Sequence, residues 1–196
     1  LYGFKMGLYK ADPLHGMEGV SKNIVVVGSK PSHYSHQTAA NWLGIGQNSY
    51  LQVDSHVDQT TKLDELDAVC SKAIECGKRI ACIEALGGTT SNMAIDDFQA
   101  IGEIRDGLVA KYGLDYVPHI HADTVLGWAY LNFMNYDFDK NELGLSRGAL
   151  ARIQKIIQRL SFLHCVDSFG VDFHKTGYMP YISSMIITKQ KEDLTR

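Results

Sequence analysis

The chain has 196 residues, of which 45% are apolar and 21% charged, as is usual for a globular protein with one sizeable packed core. Its net charge is −3 and no basic block occurs, so the composition argues against nucleic acid and anionic membranes as partners. The longest apolar runs fall far short of the ~18 residues that a membrane-spanning helix needs.

The N-terminus and the cysteines bear on where the protein works. Residues 1–5 lack the charged, apolar and small-residue succession of a signal peptide. Cys70, Cys76, Cys82 and Cys165 have no paired CxxC spacing, which indicates free, buried thiols in a reducing compartment. We therefore expect a cytoplasmic protein. The first residue is not methionine, which suggests that the chain begins inside a longer protein.

Short apolar runs alternate with helical patterns along the chain. Runs rich in β-branched or aromatic residues predict six strands, at residues 24–28, 50–53, 80–86, 116–122, 168–171 and 182–188. Because these runs are almost continuously apolar, the strands should be buried on both faces.

Helices are predicted between these strands by apolar residues at steps of three and four, around residues 66–74, 101–109 and 150–160. The second of them should begin after an N-cap at Asp96 or Asp97 and end at Gly113. Alternating strands and helices imply crossover connections. The expected fold is therefore α/β, a mainly parallel sheet with helices on both faces, in a single domain over residues 1–196.

Residues 124–148 fit neither pattern and carry several aromatic side chains. These side chains could cover the sheet, form part of a pocket or meet a partner chain.

The strand predicted at residues 168–171 leads into a polar turn that carries His174 and Lys175. In open α/β sheets, side chains at the carboxyl ends of strands face the crevice where ligands bind. An amine partly removed from water there loses its charge more easily, and a neutral amine can form a Schiff base with an aldehyde. Lys175 is therefore a candidate nucleophile, although a solvated loop lysine would give the same dipeptide.

Three other predicted strands also end in polar motifs, and a parallel sheet places such ends along one edge. The motifs are Ser32-His33-Tyr34-Ser35 followed by Ala39-Ala40, Gly87-Gly88-Thr89-Thr90 followed by Asp96, and His121-Ala122-Asp123.

Taken in this order with Asp167-Ser168 and His174-Lys175, the motifs resemble those of the pyridoxal-phosphate-dependent group II amino-acid decarboxylases. That family includes the glutamate, aromatic-amino-acid, tyrosine and diaminobutyrate enzymes. The resemblance implies the central part of the large domain of a fold-type I (aspartate aminotransferase-like) enzyme, incomplete at both ends, so the isolated chain would be inactive. It also implies an amino-acid substrate, whose side chain the sequence leaves open, and a homodimer with the active site near the subunit interface.

The same resemblance implies roles for individual residues around the cofactor, pyridoxal 5′-phosphate. Lys175 would form the Schiff base, Asp123 would pair with the pyridine nitrogen, and His33 would stack on the ring near the substrate carboxylate. The other cofactor-binding positions would be Thr90 beside the phenolic oxygen, Val125 under the ring, His174 beside the Schiff base or phosphate, and Asp172 near the phosphate.

Other functions compete with decarboxylation. The segments Gly177-Tyr178-Met179-Pro180 and Ser183-Ser184 are also similar to the sphingosine-phosphate lyases, which break a carbon–carbon bond. His119, His121 and Asp123 alternate along a predicted strand, so their side chains share one face and suit zinc or non-haem iron. A non-catalytic fragment is a third possibility. The combined motifs favour the cofactor over a metal.

Overall fold

A computed structural model describes residues 23–194, so the expectation about residues 1–5 concerns positions outside the described part. Six strands form one sheet in the order β2-β1-β3-β4-β5-β6. Neighbouring strands from β2 to β5 run parallel, and β6 pairs antiparallel with β5. The strands are β1 (Ile24–Ser29), β2 (Tyr50–Val53), β3 (Arg79–Leu86), β4 (His119–Asp123), β5 (Ser168–Asp172) and β6 (Ser184–Thr188).

Five α-helices connect the strands over the part of the chain that the structure describes. They are α1 (Ser35–Trp42), α2 (Leu63–Glu75), α3 (Phe98–Tyr112), α4 (Arg147–Leu160) and the short α5 (Phe173–Thr176). As predicted, the Asp97 side chain caps α3 by accepting a hydrogen bond from the Ala100 N–H, and Gly113 ends it with a φ of 58°. No helix within residues 23–194 is long and apolar enough to cross a lipid bilayer.

Apolar clusters cover both faces of the sheet, because successive residues of each strand point to opposite sides. The larger cluster joins Val25 and Val27 to the helices α2, α3 and α4. The smaller cluster joins Ile24 to Ala40 of α1 on the other face. The predicted α/β fold, with helices on both faces, is confirmed.

Two strand predictions need correction. β4 begins at His119 and not at residue 116, because Pro118 has no N–H for a sheet ladder and the Tyr116 hydroxyl instead accepts a hydrogen bond from the Ile80 N–H. β6 is an edge strand, and its Met185 and Ile186 side chains are exposed, so burial on both faces fails there.

The cysteines are free, as predicted, but they are not all buried. Burial raises the pKa of the Cys70 thiol to about 12. Cys76 follows the last residue of α2 and is exposed, so the expectation of a buried thiol is wrong at that position.

Candidate active site

The carboxyl ends of four parallel strands meet at one edge of the sheet and border a cavity of about 190 Å³. The chain segments that follow β1, β3, β4 and β5 all contribute to its wall. The lining residues are Pro31, His33, Ser35, His36, Leu86, Gly87, Gly88, Thr89, Thr90, His121, Asp123, Val125, Leu126, Asp172 and Lys175.

The structure brings together six of the seven predicted site residues. They line this cavity and are His33, Thr90, Asp123, Val125, Asp172 and Lys175. The seventh, His174, lies in the wall of an adjoining cavity instead, where its Nδ1 is 3.0 Å from the Ser183 carbonyl oxygen. Lys175 lines both cavities.

Close backbone contacts fix the wall where β3 and β4 end. Gly88 has a φ of 131°, and a Cβ at this position would lie 2.7 Å from the Gly127 nitrogen. A Cβ at Gly127 would in turn collide with the Gly87 carbonyl oxygen. Only residues without a side chain allow the two loops to meet in this way. The loop at residues 87–90 is therefore held at a fixed distance from the end of β4.

Lys175 lies in the single turn of α5 and forms an ion pair with Asp172. The Lys175 Nζ atom is 2.9 Å from Asp172 Oδ2, and the Ser184 hydroxyl donates to Asp172 Oδ1 at 2.6 Å. Burial raises the pKa of Asp172, but these two partners outweigh it and lower the pKa overall. The negative charge of Asp172, the residue expected near the cofactor phosphate, is therefore already balanced by Lys175. The Lys175 amine must also leave this carboxylate before it can attack an aldehyde.

Asp123 ends β4 and presents an ionised carboxylate to the cavity. Its Oδ2 is 3.0 Å from His36 Nε2, and its Oδ1 accepts a hydrogen bond from the Val125 N–H at 3.3 Å. Burial raises the pKa of Asp123, but the hydrogen bond and the charge of His36 reverse this effect and lower it. Two lone pairs of the carboxylate stay available for another N–H donor.

His33 lies in the loop before α1 and is exposed. Its Nδ1 accepts a hydrogen bond from the Ser35 N–H at 3.3 Å and is 2.7 Å from Ser35 Oγ. Because a main-chain N–H can only donate, Nδ1 is an acceptor here and the imidazole hydrogen lies on Nε2. These contacts hold the ring against the first turn of α1, at the mouth of the cavity.

Two residues of this site, His36 and Glu84, were not found from the sequence. His36 lines the cavity, and its Nε2 is 3.0 Å from both Asp123 Oδ2 and Glu84 Oε1. Glu84 is only 3% exposed. An acidic residue inside the apolar run at residues 80–86 is the signal that could have identified it, because a charge is seldom buried without a partner.

The metal set considered from the sequence does not assemble. His119 and His121 point to the same face of β4, but both contact the Ser168 hydroxyl, through His119 Nε2 at 2.7 Å and His121 Nδ1 at 2.8 Å. Asp123 turns to His36 instead. Among the residues that the structure describes, one set of three potential metal ligands has its ligand atoms within 4.8 Å of one another, and it consists of His36, Glu84 and Asp123.

The adjoining cavity has a volume of about 910 Å³ and is lined in part by aromatic side chains of residues 124–148, whose role the sequence left open. It lies between α4 and the 3₁₀ helix at Gly127–Phe133, and its wall includes Tyr130, Phe133 and Ile153. Aromatic side chains of that segment therefore form part of a pocket next to Lys175.

Comparison with known proteins identifies amino-acid decarboxylases as relatives. The chain is 25% identical over 190 residues to the aspartate 1-decarboxylase of Aliivibrio fischeri, covering 96% of this chain and 28% of that protein. It is 27% identical over 154 residues to the L-2,4-diaminobutyrate decarboxylase of Acinetobacter baumannii, covering 79% and 25%. The chain thus spans about a quarter of the length of these curated relatives. No family model matches it.

Solved structures of decarboxylases share the fold. The glutamate decarboxylase domain of a Vibrio parahaemolyticus diaminobutyrate-pyruvate transaminase and L-2,4-diaminobutyrate decarboxylase gives a TM-score of 0.68 at 26% identity, covering 89% of this chain and 32% of that one. Tryptophan decarboxylase of Catharanthus roseus in complex with L-tryptophan gives 0.70 at 19% identity, covering 98% and 35%. Oryza sativa TDC with PLP gives 0.63 at 16% identity, covering 87% and 31%.

These findings confirm the resemblance to the group II decarboxylases that the motifs indicated. The two plant proteins are only 19% and 16% identical to this chain, so their likeness to it shows a shared fold alone. Both sequence relatives are named as decarboxylases, and neither is named as a sphingosine-phosphate lyase.

Proposed function

We propose that this chain, which resembles the pyridoxal-phosphate-dependent group II decarboxylases in sequence and fold, forms the cofactor-binding part of an enzyme that removes carbon dioxide from an amino acid. One observation carries the proposal: the anionic carboxylate of Asp123 and the amine of Lys175, from the ends of neighbouring strands, line the same cavity.

This pair of groups suits the cofactor. When bound, pyridoxal phosphate supplies an aldehyde that condenses with amines and a ring that accepts the electron pair left when carbon dioxide departs. Asp123 offers an ionised carboxylate, with free lone pairs, to a protonated ring nitrogen. Lys175 offers the amine that would hold the aldehyde covalently once Asp172 has released it.

The remaining residues would position the ring and the substrate. His33, at the cavity mouth, would stack on the ring near the substrate carboxylate, while Val125 would pack on the opposite side. Thr90 would lie beside the phenolic oxygen. His174, whose imidazole is fixed by the Ser183 main chain, would act from the side of the adjoining cavity. Asp172, already paired, would keep Lys175 in place before the cofactor binds.

The amino-acid substrate would enter beside Lys175, and the family resemblance also predicts a homodimer. Both are proposals about the protein that carries this chain. A sedimentation measurement on the full-length protein would test the second, with a dimer as the expected result.

The test of the activity is carbon dioxide release by the full-length protein with added pyridoxal phosphate. Substrates should include aspartate and 2,4-diaminobutyrate, which the names of the relatives suggest, together with glutamate and tyrosine, which the family resemblance suggests. Lys175→Ala should abolish release from any substrate that is used. Lys140→Ala is the matched control, because Lys140 forms a similar (i, i+3) ion pair with Asp137 and neither residue lines the cavity.

Asp123→Asn provides a second, graded test. Removing a charge about 4 Å from a ring cation costs about 4 kcal/mol at an effective dielectric constant of about 20. That energy corresponds to roughly a thousandfold slower turnover. Full turnover in Lys175→Ala or in Asp123→Asn would contradict the proposed roles.

A further inference from the structure

The imidazole of His36 lies between two carboxylates that come from neighbouring strands. Its Nε2 atom is 3.0 Å from Asp123 Oδ2 on β4 and 3.0 Å from Glu84 Oε1 on β3. The Tyr50 hydroxyl donates a hydrogen bond to the other oxygen of Glu84. These four side chains form a continuous line from β2 to the cavity, which we call the carboxylate relay.

The inner half of the relay occupies space that the backbone leaves for it. Gly28 on β1 lies next to it, and a Cβ at this position would collide with the Tyr50 hydroxyl and lie 2.7 Å from Glu84 Oε2. Tyr50 and Glu84 are only 6% and 3% exposed. The relay is therefore built into the sheet, and a charge on Glu84 has to be balanced by the relay itself and not by water.

Burial and neighbouring charges distribute the protons of the relay unequally. Burial raises the pKa of Glu84 to about 7. Burial lowers the pKa of His36, but the hydrogen bond with Asp123 and the charges of both carboxylates outweigh it, so the pKa is raised overall. The pKa of Asp123 is lowered, as described above. Near neutral pH, Asp123 is thus ionised and Glu84 titrates, while His36 holds its second proton more tightly than an ordinary histidine does.

Other titratable groups face His36 from the elements around it. His121 on β4 is close enough for its pKa to be lowered to about 4, first by burial and then by the charge of His36, so it is neutral near pH 7. Lys175 on α5 opposes the protonation of His36. Burial raises the pKa of Tyr50, which therefore stays a hydrogen-bond donor to Glu84.

We propose that His36 and Glu84 are positioning residues, which hold the Asp123 carboxylate toward the cofactor ring nitrogen and adjust its negative charge through one shared proton. This inference rests on the proposed function, because the ring nitrogen is the partner that it gives to Asp123. His36 Nε2 bears a single hydrogen. When Glu84 is protonated, that hydrogen is donated to Asp123 alone. When Glu84 ionises, the two carboxylates compete for it, and Asp123 becomes a stronger acceptor for the ring N–H.

The first test measures the dissociation constant of pyridoxal phosphate against pH for the full-length protein. In the wild type, binding should tighten as Glu84 ionises around its pKa of about 7. Glu84→Gln should remove that step. His36→Gln should weaken binding by about tenfold or more, because Asp123 loses the charged partner of its hydrogen bond. His164→Gln is the matched control, since His164 is an exposed histidine outside the cavity.

The second test needs no cofactor. Nitrogen NMR of labelled histidines in the cofactor-free full-length protein should show that His36, assigned by its loss in His36→Gln, titrates above the ordinary histidine pKa of about 6.5. In Glu84→Gln the same resonance should titrate at a lower pH, because one of its two carboxylate partners has become neutral.

The outcomes separate this inference from the proposed function. Normal cofactor uptake with an unchanged dissociation constant in His36→Gln would overturn the relay and leave the function intact. A His36 titration that Glu84→Gln does not move would also overturn it. Stoichiometric zinc that is retained by the wild type and lost in His36→Gln would assign the three side chains to a metal instead. A wild type that takes up no pyridoxal phosphate would overturn the proposed function and the role of His36 together.

Discussion

Asp96 is expected to stabilise the fold more than any single surface residue, because its buried carboxylate receives three hydrogen bonds. The Thr61 N–H and hydroxyl donate to it at 2.8 and 2.7 Å, and the Leu86 N–H donates at 2.8 Å. Asp96→Ala would leave two buried N–H groups without an acceptor, whereas the hydroxyl can rotate. At about 1–3 kcal/mol for each unsatisfied group, the expected loss is about 4 kcal/mol.

Urea denaturation of the full-length protein, followed by circular dichroism, measures this loss as a change in the free energy of unfolding. Thr61→Val is the control, because it removes the hydroxyl donor but keeps the shape and both N–H donors, and it should cost only about 1 kcal/mol. Asp96→Asn, which retains one acceptor oxygen, should fall between the two. If Asp96→Ala destabilises the protein no more than Thr61→Val, the proposed hydrogen-bond network is wrong.

Three further predictions concern the glycine contact, the β4 histidines and the buried glutamate. Gly127→Ala should destabilise the protein by at least about 3 kcal/mol, because its Cβ would collide with the Gly87 carbonyl oxygen. Gly107→Ala, in open space on α3, should instead stabilise it by about 0.5–1 kcal/mol, and equal denaturation midpoints for the two variants would refute the contact. Ser168→Ala should cost about 1–3 kcal/mol, since two imidazoles contact its hydroxyl, and an unchanged unfolding free energy would contradict this. Burial opposes the ionisation of Glu84. Protonated Glu84 therefore contributes stability that is present below pH 4.5 and is lost as the pH rises to about 7, a loss of about 3 kcal/mol. In Glu84→Gln this loss should disappear, and a pH-independent difference from the wild type would count against it.

The fold could be predicted because its signals are local. β2 has the predicted limits, and the N-cap at Asp97 and the terminator at Gly113 act within a single helix. β6 was harder, because its apolar sequence does not reveal that it lies at an edge of the sheet, where no strand within residues 23–194 pairs with its outer side. Strand position depends on pairing over long sequence separations, which periodicity does not encode.

The site could be predicted only in part, for a related reason. Polar residues at strand ends identified the edge where the cavity lies, since parallel strands end together. His36 and Glu84 are 48 positions apart, and they meet only because β1 and β3 are neighbours in the sheet. The ion pair of Lys175 with Asp172 was also missed, although a spacing of three residues in one turn permits it.

Chemical trapping of the cofactor tests the central claim most directly. Borohydride added to the full-length protein with pyridoxal phosphate should reduce the covalent link to an amine and leave the label on one residue. Peptide mapping should then find the label on Lys175, and Lys175→Ala should carry none while Lys140→Ala is labelled as the wild type is. A label on any other lysine, or undiminished labelling of Lys175→Ala, would contradict the account.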